Sequence, residues 1–186
     1  RGNGGAASDP RRAGAALPVP RRILLVGGGG REHALAWRLA GEPGVEELVA
    51  VPGSDAIAAV EGCRVERDAR ATDAAAVVAA ARAAGVDLVV IGPEAPLAAG
   101  VADALAAAGF PVFGPVAAAA RIESSKAFCR EVAAAAGIPM ARGGAFLALD
   151  PARVLAAELA AGGDGVVIKA DGLAAGKGVT VCDPAA

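Results

Sequence analysis

The stretch VVIKADGLAAGKGVTV, Val166 to Val181, decides how the last third of this chain folds. An apolar run, Val166-Val167-Ile168, ends at Lys169. A loop follows in which Gly172, Gly176 and Gly178 surround Lys177, and a second β-branched run, Val179-Thr180-Val181, comes after it. The common nucleotide loop, G-x-x-x-x-G-K-[ST], leads from a strand into a helix, and its hydroxyl holds a metal ion. Here the position five before Gly176 is Asp171, and the residue after Lys177 is Gly178, which has no hydroxyl. A strand comes next, not a helix. The segment therefore reads as strand, glycine loop, strand: a hairpin whose tip can close over a ligand. An ordinary hairpin turn does not need one lysine on its strand and another in its loop.

Lysine is scarce elsewhere. The chain has only three, Lys126, Lys169 and Lys177, against fifteen arginines, and all three fall in the last third. An ammonium is a compact point charge that can sit on one phosphate oxygen, whereas the arginine fork is planar and bulkier. The distribution points to one anion site that requires ammonium groups.

Working upstream, Ser124 to Ala136 reads as a helix capped by Ser124 and ended by Gly137. Ala145 to Leu147 reads as a strand. Asp150-Pro151 reads as an N-cap with proline at the first helical position, opening a helix to about Ala161. This is an α+β arrangement. Before Gly114-Pro115 the rhythm differs. Strands are expected at Ile23–Val26, Leu48–Val51, Asp87–Ile91 and Val112-Phe113, with helices at Arg31–Ala40, Asp73–Ala84 and Leu97–Ala108. Strands alternating with helices mean a parallel sheet covered on both faces. The expected division is a disordered segment 1–22, a Rossmann-like unit 23–122 and an α+β unit 123–186. No internal repeat is visible.

Two loops of the first unit fall at the carboxyl edge of the sheet, where ligands bind. Gly27-Gly28-Gly29-Gly30 follows the first strand and opens a helix, whose amide groups and dipole favour an anion. The dinucleotide fingerprint G-x-G-x-x-G/A fails here, because its third small position falls on Glu32 or His33, and Val51-Pro52 replaces the ribose-binding acid. Arg31 in the first helical turn opposes the dipole unless it faces an anion. His33, the only histidine, is expected to hold the loop by a hydrogen bond. The second loop, Gly92-Pro93-Glu94-Ala95-Pro96, is stiffened by two prolines. Glu94 between them reads either as a holder of hydroxyls or an amine, or as a solvated turn acid.

Composition narrows the classes. The formal net charge is −2 and aromatics are 3 %, which gives no basic surface for nucleic acid. No apolar run is long enough for a membrane helix. Cys63, Cys129 and Cys182 show neither metal spacing nor a disulfide framework, which fits a reducing compartment. The segment 1–22 is rich in Gly, Ala, Pro and Arg. It lacks a secretory apolar core. The end of an organellar transit peptide and, without an initiating Met, a start inside a longer polypeptide both fit it.

The strings GGGGREHAL (Gly27–Leu35), IGPEAPL (Ile91–Leu97), FGP (Phe113–Pro115), SKAF (Ser125–Phe128) and VIKADGLAAGKGV (Val167–Val179) together resemble the phosphoribosylamine–glycine ligase family, within the ATP-grasp superfamily. The resemblance is collinear from about Ile23 onward. It implies an α/β fold: a Rossmann-like domain followed by the first part of an ATP-grasp domain. It implies the joining of glycine to 5-phosphoribosylamine with ATP, through glycyl phosphate, giving glycinamide ribonucleotide, ADP and phosphate in purine biosynthesis. Lys126 and Lys169 resemble the family's phosphate-contacting lysines and are the expected catalytic pair. Gly172, Ala175, Gly176, Lys177 and Gly178 resemble its phosphate loop. Gly28, Gly29, Gly30, Arg31, Glu32, His33, Pro93 and Glu94 resemble the phosphoribosylamine side.

The implied cofactors are ATP and Mg²⁺ or Mn²⁺, with metal ligands expected beyond residue 186 and none assigned within the chain. The implied partners are small molecules, not nucleic acid or membrane, and the implied location is the cytoplasm. A chain ending at residue 186 is expected to lack turnover by itself. The other readings are a non-catalytic nucleotide- or phosphate-binding module, a remote dehydrogenase-like domain and another ATP-grasp ligase. Five positions in three places depart from the family's usual pattern: Ser54-Asp55-Ala56, where asparagine, alanine and glycine are usual; Ser124, where glycine is usual; and Met140, where threonine is common.

Overall fold

A computed structural model describes residues 19–163, 165–174 and 176–183. It begins with a parallel sheet. The strands are β1 (Arg22–Gly27), β2 (Glu47–Pro52), β3 (Cys63–Val65), β4 (Leu88–Ile91) and β5 (Val112–Phe113), in the order β3-β2-β1-β4-β5. Every pair in it is parallel. Successive side chains of a strand point to opposite faces. One face therefore carries Leu24, Val26, Val49, Val51, Val89 and Ile91. The other carries Ile23, Leu25, Leu48, Ala50 and Val90.

Helices cover both faces. Helix α1 (Gly30–Ala40) and helix α2 (Asp55–Ala58) place Ala36 and Ile57 against the second set. Helix α3 (Ala74–Ala84), helix α4 (Glu94–Ala98) and helix α5 (Val101–Ala107) bring Val77, Ala81, Leu97, Val101 and Leu105 to the first. Both layers are closed, which is why the central strands read as unbroken apolar runs. Each Leu or Ile sealed here contributes about 2 kcal/mol, so most of the fold's apolar stabilisation resides in this sheet.

The remainder is thinner. Helices α6 (Ala117–Ser124), α7 (Lys126–Ala135) and α8 (Leu149–Ala160) precede an antiparallel hairpin, β6 (Val166–Lys169) with β7 (Val179–Cys182). Helix α8 has no buried residue. Val167, Ile168, Val179 and Val181 of the hairpin are all about half exposed or more.

Several boundaries differ from the sequence expectations. Residues 1–18 of the expected disordered segment lie outside the described residues, but Arg22 already begins β1. The amides of Arg21 and Arg22 donate to the Asp87 carboxylate at 3.0 and 2.9 Å, which ties the start of the sheet down. Asp87 sits just before β4, not in it. The single helix expected over Leu97–Ala108 is two, because Gly100 takes φ 80 between them. Elements α2, β3 and α6 were not expected. The first two are only four and three residues long, too short for a periodicity.

Ser124 closes α6, and Ser125 is the cap of α7, its hydroxyl accepting from the Phe128 amide at 3.1 Å. Ala145–Leu147 is not a strand: no strand pairs with it and Leu147 is fully exposed. Helix α8 starts earlier than expected, capped at Ala148, with Asp150 and Pro151 inside the first turn. An acid there still complements the dipole, and a proline there removes only an amide that has no helical partner.

The three cysteines are free, and no helix among the described residues is long and apolar enough to cross a membrane.

Candidate functional site

At the carboxyl edge of the sheet, the β1 loop meets the β4 loop over one buried carboxylate. Glu32, in the first turn of α1, is 5 % exposed. It accepts a hydrogen bond from the Gly29 amide at 2.8 Å. Two glycines make room for it. A Cβ on Gly27 would lie 2.6 Å from Glu32 Cγ, and one on Gly92 would lie 2.2 Å from its Oε1. Gly28 is equally confined, since its Cβ would lie 2.3 Å from the Gly53 carbonyl oxygen after β2. The β1 loop is thus clamped from below by β2, β4 and Glu32.

Above that clamp the loop is open. Gly29 and Gly30 are exposed, and a Cβ on Gly30 would meet nothing within 4 Å. Gly29 caps the eleven-residue α1, and the first amides of that helix, which have no helical partner, stand at the positive end of its dipole. Arg31 Nη1 donates to the Gly92 carbonyl at 2.9 Å, bridging the two loops from outside. Pro93 caps α4, and Glu94 is that helix's exposed first residue, not a loop residue. Glu32, expected on the substrate edge, is turned inward as a pin. His33 is exposed, and its hydrogen bond to the loop runs from its backbone amide to the Gly29 carbonyl at 2.9 Å, not from its ring. The departure at Ser54 leaves the next turn capped, because its hydroxyl accepts from the Ile57 amide at 3.4 Å.

The second constellation joins α7 to the hairpin loop. Lys126 is the first residue of α7, and its ammonium donates to the Gly172 carbonyl at 2.7 Å. Ser125 Oγ donates to Asp171 at 3.1 Å, and the Ala127 amide donates to the other oxygen of the same carboxylate at 3.2 Å. The Ala127 amide is the main reason the Asp171 carboxyl is held below the ordinary range; desolvation opposes it, and the Ser125 hydroxyl and the Lys126 and Gly172 amides add to it. The loop itself is closed by Ala170 N to Gly178 O and Lys177 N to Ala174 O, both 2.8 Å. A Cβ on Gly178 would lie 2.5 Å from that of Ala174. Gly172 and Gly176 have φ 94 and 78, with open space where a side chain would be. Lys169, at the end of β6, and Lys177 are exposed. Ala175 lies outside the described residues.

The structure therefore assembles two sets. Gly28 to Glu32 stand with Pro93 and Gly92, and Lys126 stands with Gly172. Among the described residues no hydrogen bond or ion pair links one set to the other. Among the described residues no group of three or more His, Cys, Asp or Glu side chains is placed to hold a metal ion. Gly92, Ser125 and Asp171 stand in the loops and motifs read from the sequence but were given no role there. For Gly92 the signal was a glycine directly ending a buried strand. For Asp171 there was none, because its partner is 46 residues away.

The fold and these two loops define a class: a parallel-sheet unit followed by the opening of an ATP-grasp domain. Solved structures agree on the fold. The biotin carboxylase domain of Hydrogenobacter thermophilus 2-oxoglutarate carboxylase, in complex with MgADP, ADP and bicarbonate, superposes with a TM-score of 0.69 at 19 % identity, covering 91 % of this chain and 39 % of that one. Biotin carboxylase from Campylobacter jejuni, in complex with an ATP analogue, gives 0.64 at 22 % identity, covering 88 % and 38 %.

The sequence narrows the class to a family. The family described as phosphoribosylglycinamide synthetase, N domain, matches residues 21–123, and its ATP-grasp (A) domain matches residues 124–186. The chain belongs to the phosphoribosylglycinamide synthetase family. Phosphoribosylamine–glycine ligase of Streptomyces coelicolor is 52 % identical over 162 residues, which is 87 % of this chain and 38 % of that protein. The enzyme of Agrobacterium fabrum is 50 % identical over 160 residues, 86 % of this chain and 36 % of its own length. The chain thus spans well under half the length of these relatives.

Proposed function

We propose that this chain serves the ATP-dependent joining of glycine to 5-phosphoribosylamine, yielding glycinamide ribonucleotide, ADP and phosphate. Residues 23–122 bind the phosphoribosyl compound, and residues 123–186 contribute the first part of the ATP clamp. The observation that carries the reading is the β1 loop: clamped beneath by the protein's own groups and open above, with unblocked amides at the N-terminus of a long helix. That is an arrangement for a phosphate. Gly28 to Gly30 take the 5′-phosphate, Arg31 lies beside it, and Pro93 with Glu94 stand on the ribose side. Glu32 supports the loop from within.

The carboxylate of glycine is a poor electrophile, and ATP supplies its activation as glycyl phosphate. Such transfers rest on positioning and charge neutralisation more than on covalent work by the protein. Lys126, Lys169 and Lys177, with the amides of Gly172, Gly176 and Gly178, offer that neutralisation. Mg²⁺ or Mn²⁺ finds no ligand cluster among the described residues, so no step is assigned to it here.

Calorimetry of this chain with glycinamide ribonucleotide tests the first half. Binding is expected, and its loss in Gly29→Val and weakening in Arg31→Ala would support the loop assignment. Tight binding that survives both changes would put the phosphate elsewhere. For the second half, Lys169→Ala in a ligase of the relatives' length carrying this sequence should raise the ATP KM and cost on the order of 2–4 kcal/mol in kcat/KM. Lys169→Arg should rescue poorly, because a fork does not replace a point charge. Wild-type kinetics for the arginine variant would reduce Lys169 to a stem.

A further inference from the structure

We infer that Asp171 is the positioning residue of the ATP clamp: it locks the N-terminus of α7 to the base of the glycine loop and so sets where Lys126 stands. The inference rests on the nucleotide reading of the hairpin given above.

The first amides of a helix have no partner within it. In α7 they are divided between two side chains. Ser125, the cap, accepts from the Phe128 amide at 3.1 Å. Asp171 accepts from the Ala127 amide at 3.2 Å. The two side chains are themselves joined, Ser125 Oγ donating to Asp171 Oδ2 at 3.1 Å. An acid at this end of a helix is favoured by the dipole as well. The result is one cap built from residues 46 positions apart.

The geometry has a direct consequence for Lys126. As the first residue of α7, its Cα is placed by the same amides that Asp171 holds. Its ammonium reaches the Gly172 carbonyl at 2.7 Å, the residue next to Asp171. The clasp thus closes twice, once through the carboxylate and once through the ammonium. Beyond Gly172 the loop turns away with φ 94 and open space around it. The loop is anchored at this base. An ammonium has three donors, so Lys126 can keep the Gly172 carbonyl while a second N–H turns to a phosphate. Without Asp171 both the lysine and the loop base lose their common reference.

The test is a set of variants in a ligase of the relatives' length carrying this sequence. Asp171→Ala should raise the KM for ATP about tenfold, with the KM for glycine unchanged. Asp171→Asn keeps an acceptor for the Ala127 amide and should recover most of the loss. Ser125→Ala should move the same parameter by less, and the double variant should fall short of the sum of the two, since they share one contact while Ser125 also caps the Phe128 amide by itself. Two outcomes overturn the inference: an Asp171→Ala enzyme that melts earlier but keeps its KM for ATP, or full additivity of the two changes. Where Asp171→Ala fails to fold, the Asp171→Asn and Ser125→Ala pair decides by the same KM. Lys169→Ala separates the inference from its premise. If that variant leaves the ATP parameters untouched, the nucleotide reading of the hairpin fails; if it changes them while Asp171→Ala does not, only the clasp fails.

Discussion

The two glycine loops of this molecule are glycine-rich for opposite reasons. In the loop after β1, Gly27 and Gly28, like Gly92 after β4, are small because the protein fills the space: each Cβ would fall between 2.2 and 2.6 Å from another heavy atom. In the hairpin loop, a Cβ on Gly172 or Gly176 would meet nothing within 4 Å, yet both take positive φ. The first loop is rigid by packing and presents fixed amides. The second is small by conformation at Gly172 and Gly176, and by packing only at Gly178, against Ala174. A phosphoribosyl phosphate met by a fixed cradle and an ATP phosphate met by a closing loop are the functional counterparts of that difference in the reading proposed here.

The comparison can be broken by substitution, and the largest effect belongs to the packed loop. Gly28→Ala drives a methyl group into the Gly53 carbonyl oxygen, and Gly92→Ala drives one into the buried Glu32 carboxylate. Each should cost about 3 kcal/mol by urea denaturation, the upper end for overpacking. Glu32→Ala should relieve part of the Gly92→Ala cost in a double-mutant cycle, though it frees the Gly29 amide. Full stability of either glycine variant would show that the β1 loop is not clamped.

In the hairpin loop the same chemistry should do less. Gly172→Ala and Gly176→Ala put a side chain where φ is 94 and 78. The expected cost is about 1 kcal/mol of left-handed strain, confined to the loop. Hydrogen exchange of the loop amides should change, while the sheet's unfolding midpoint stays where it was. A lowered midpoint would mean that the two regions are more tightly coupled than their contacts suggest.

Acid sharpens the contrast between the two regions' aspartates. The Asp87 carboxyl is held below its ordinary range chiefly by the Arg22 and Arg21 amides, against an opposing desolvation. A depressed value means stability that is present above the unfolded value of about 3.9 and lost as pH falls through the lower folded one. Asp171 is depressed in the same direction, by α7's amides. The sheet's urea midpoint should therefore fall in that acid window, and Asp87→Ala should flatten the fall while Asp171→Ala leaves it alone. An Asp87→Ala protein with an unchanged acid limb would remove this account.

The smallest effect is expected at Gly30, the one β1-loop glycine whose Cβ meets nothing. It is already helical, so Gly30→Ala should stabilise the sheet by about 0.5 kcal/mol. If the open side of the loop holds the phosphate, the same change should weaken glycinamide ribonucleotide in calorimetry. Improved stability with unchanged affinity would assign the open side no ligand.

The sequence by itself determined the elements whose reasons are local. Apolar strands alternating with amphipathic helices imposed a parallel sheet covered on both faces, and a glycine loop between two β-branched runs imposed the hairpin Val166–Lys169 with Val179–Cys182. Weakly periodic pieces such as β3 and α2, and helix starts such as that of α8, were blurred because three or four residues carry too little pattern. Only the tertiary structure decided what the polar residues do. Glu32 became a pin beneath the loop because two glycines, one of them beyond β4, leave a hole of its size. Arg31 found a carbonyl 61 residues away, and Ser125, not Ser124, took the cap because Asp171 arrives beside it from 46 residues on. Apolar periodicity is written along the chain, since burial of one face needs only local spacing. A hydrogen bond between distant residues is written nowhere in the sequence, because its partner is chosen by how the finished layers bring loop ends together.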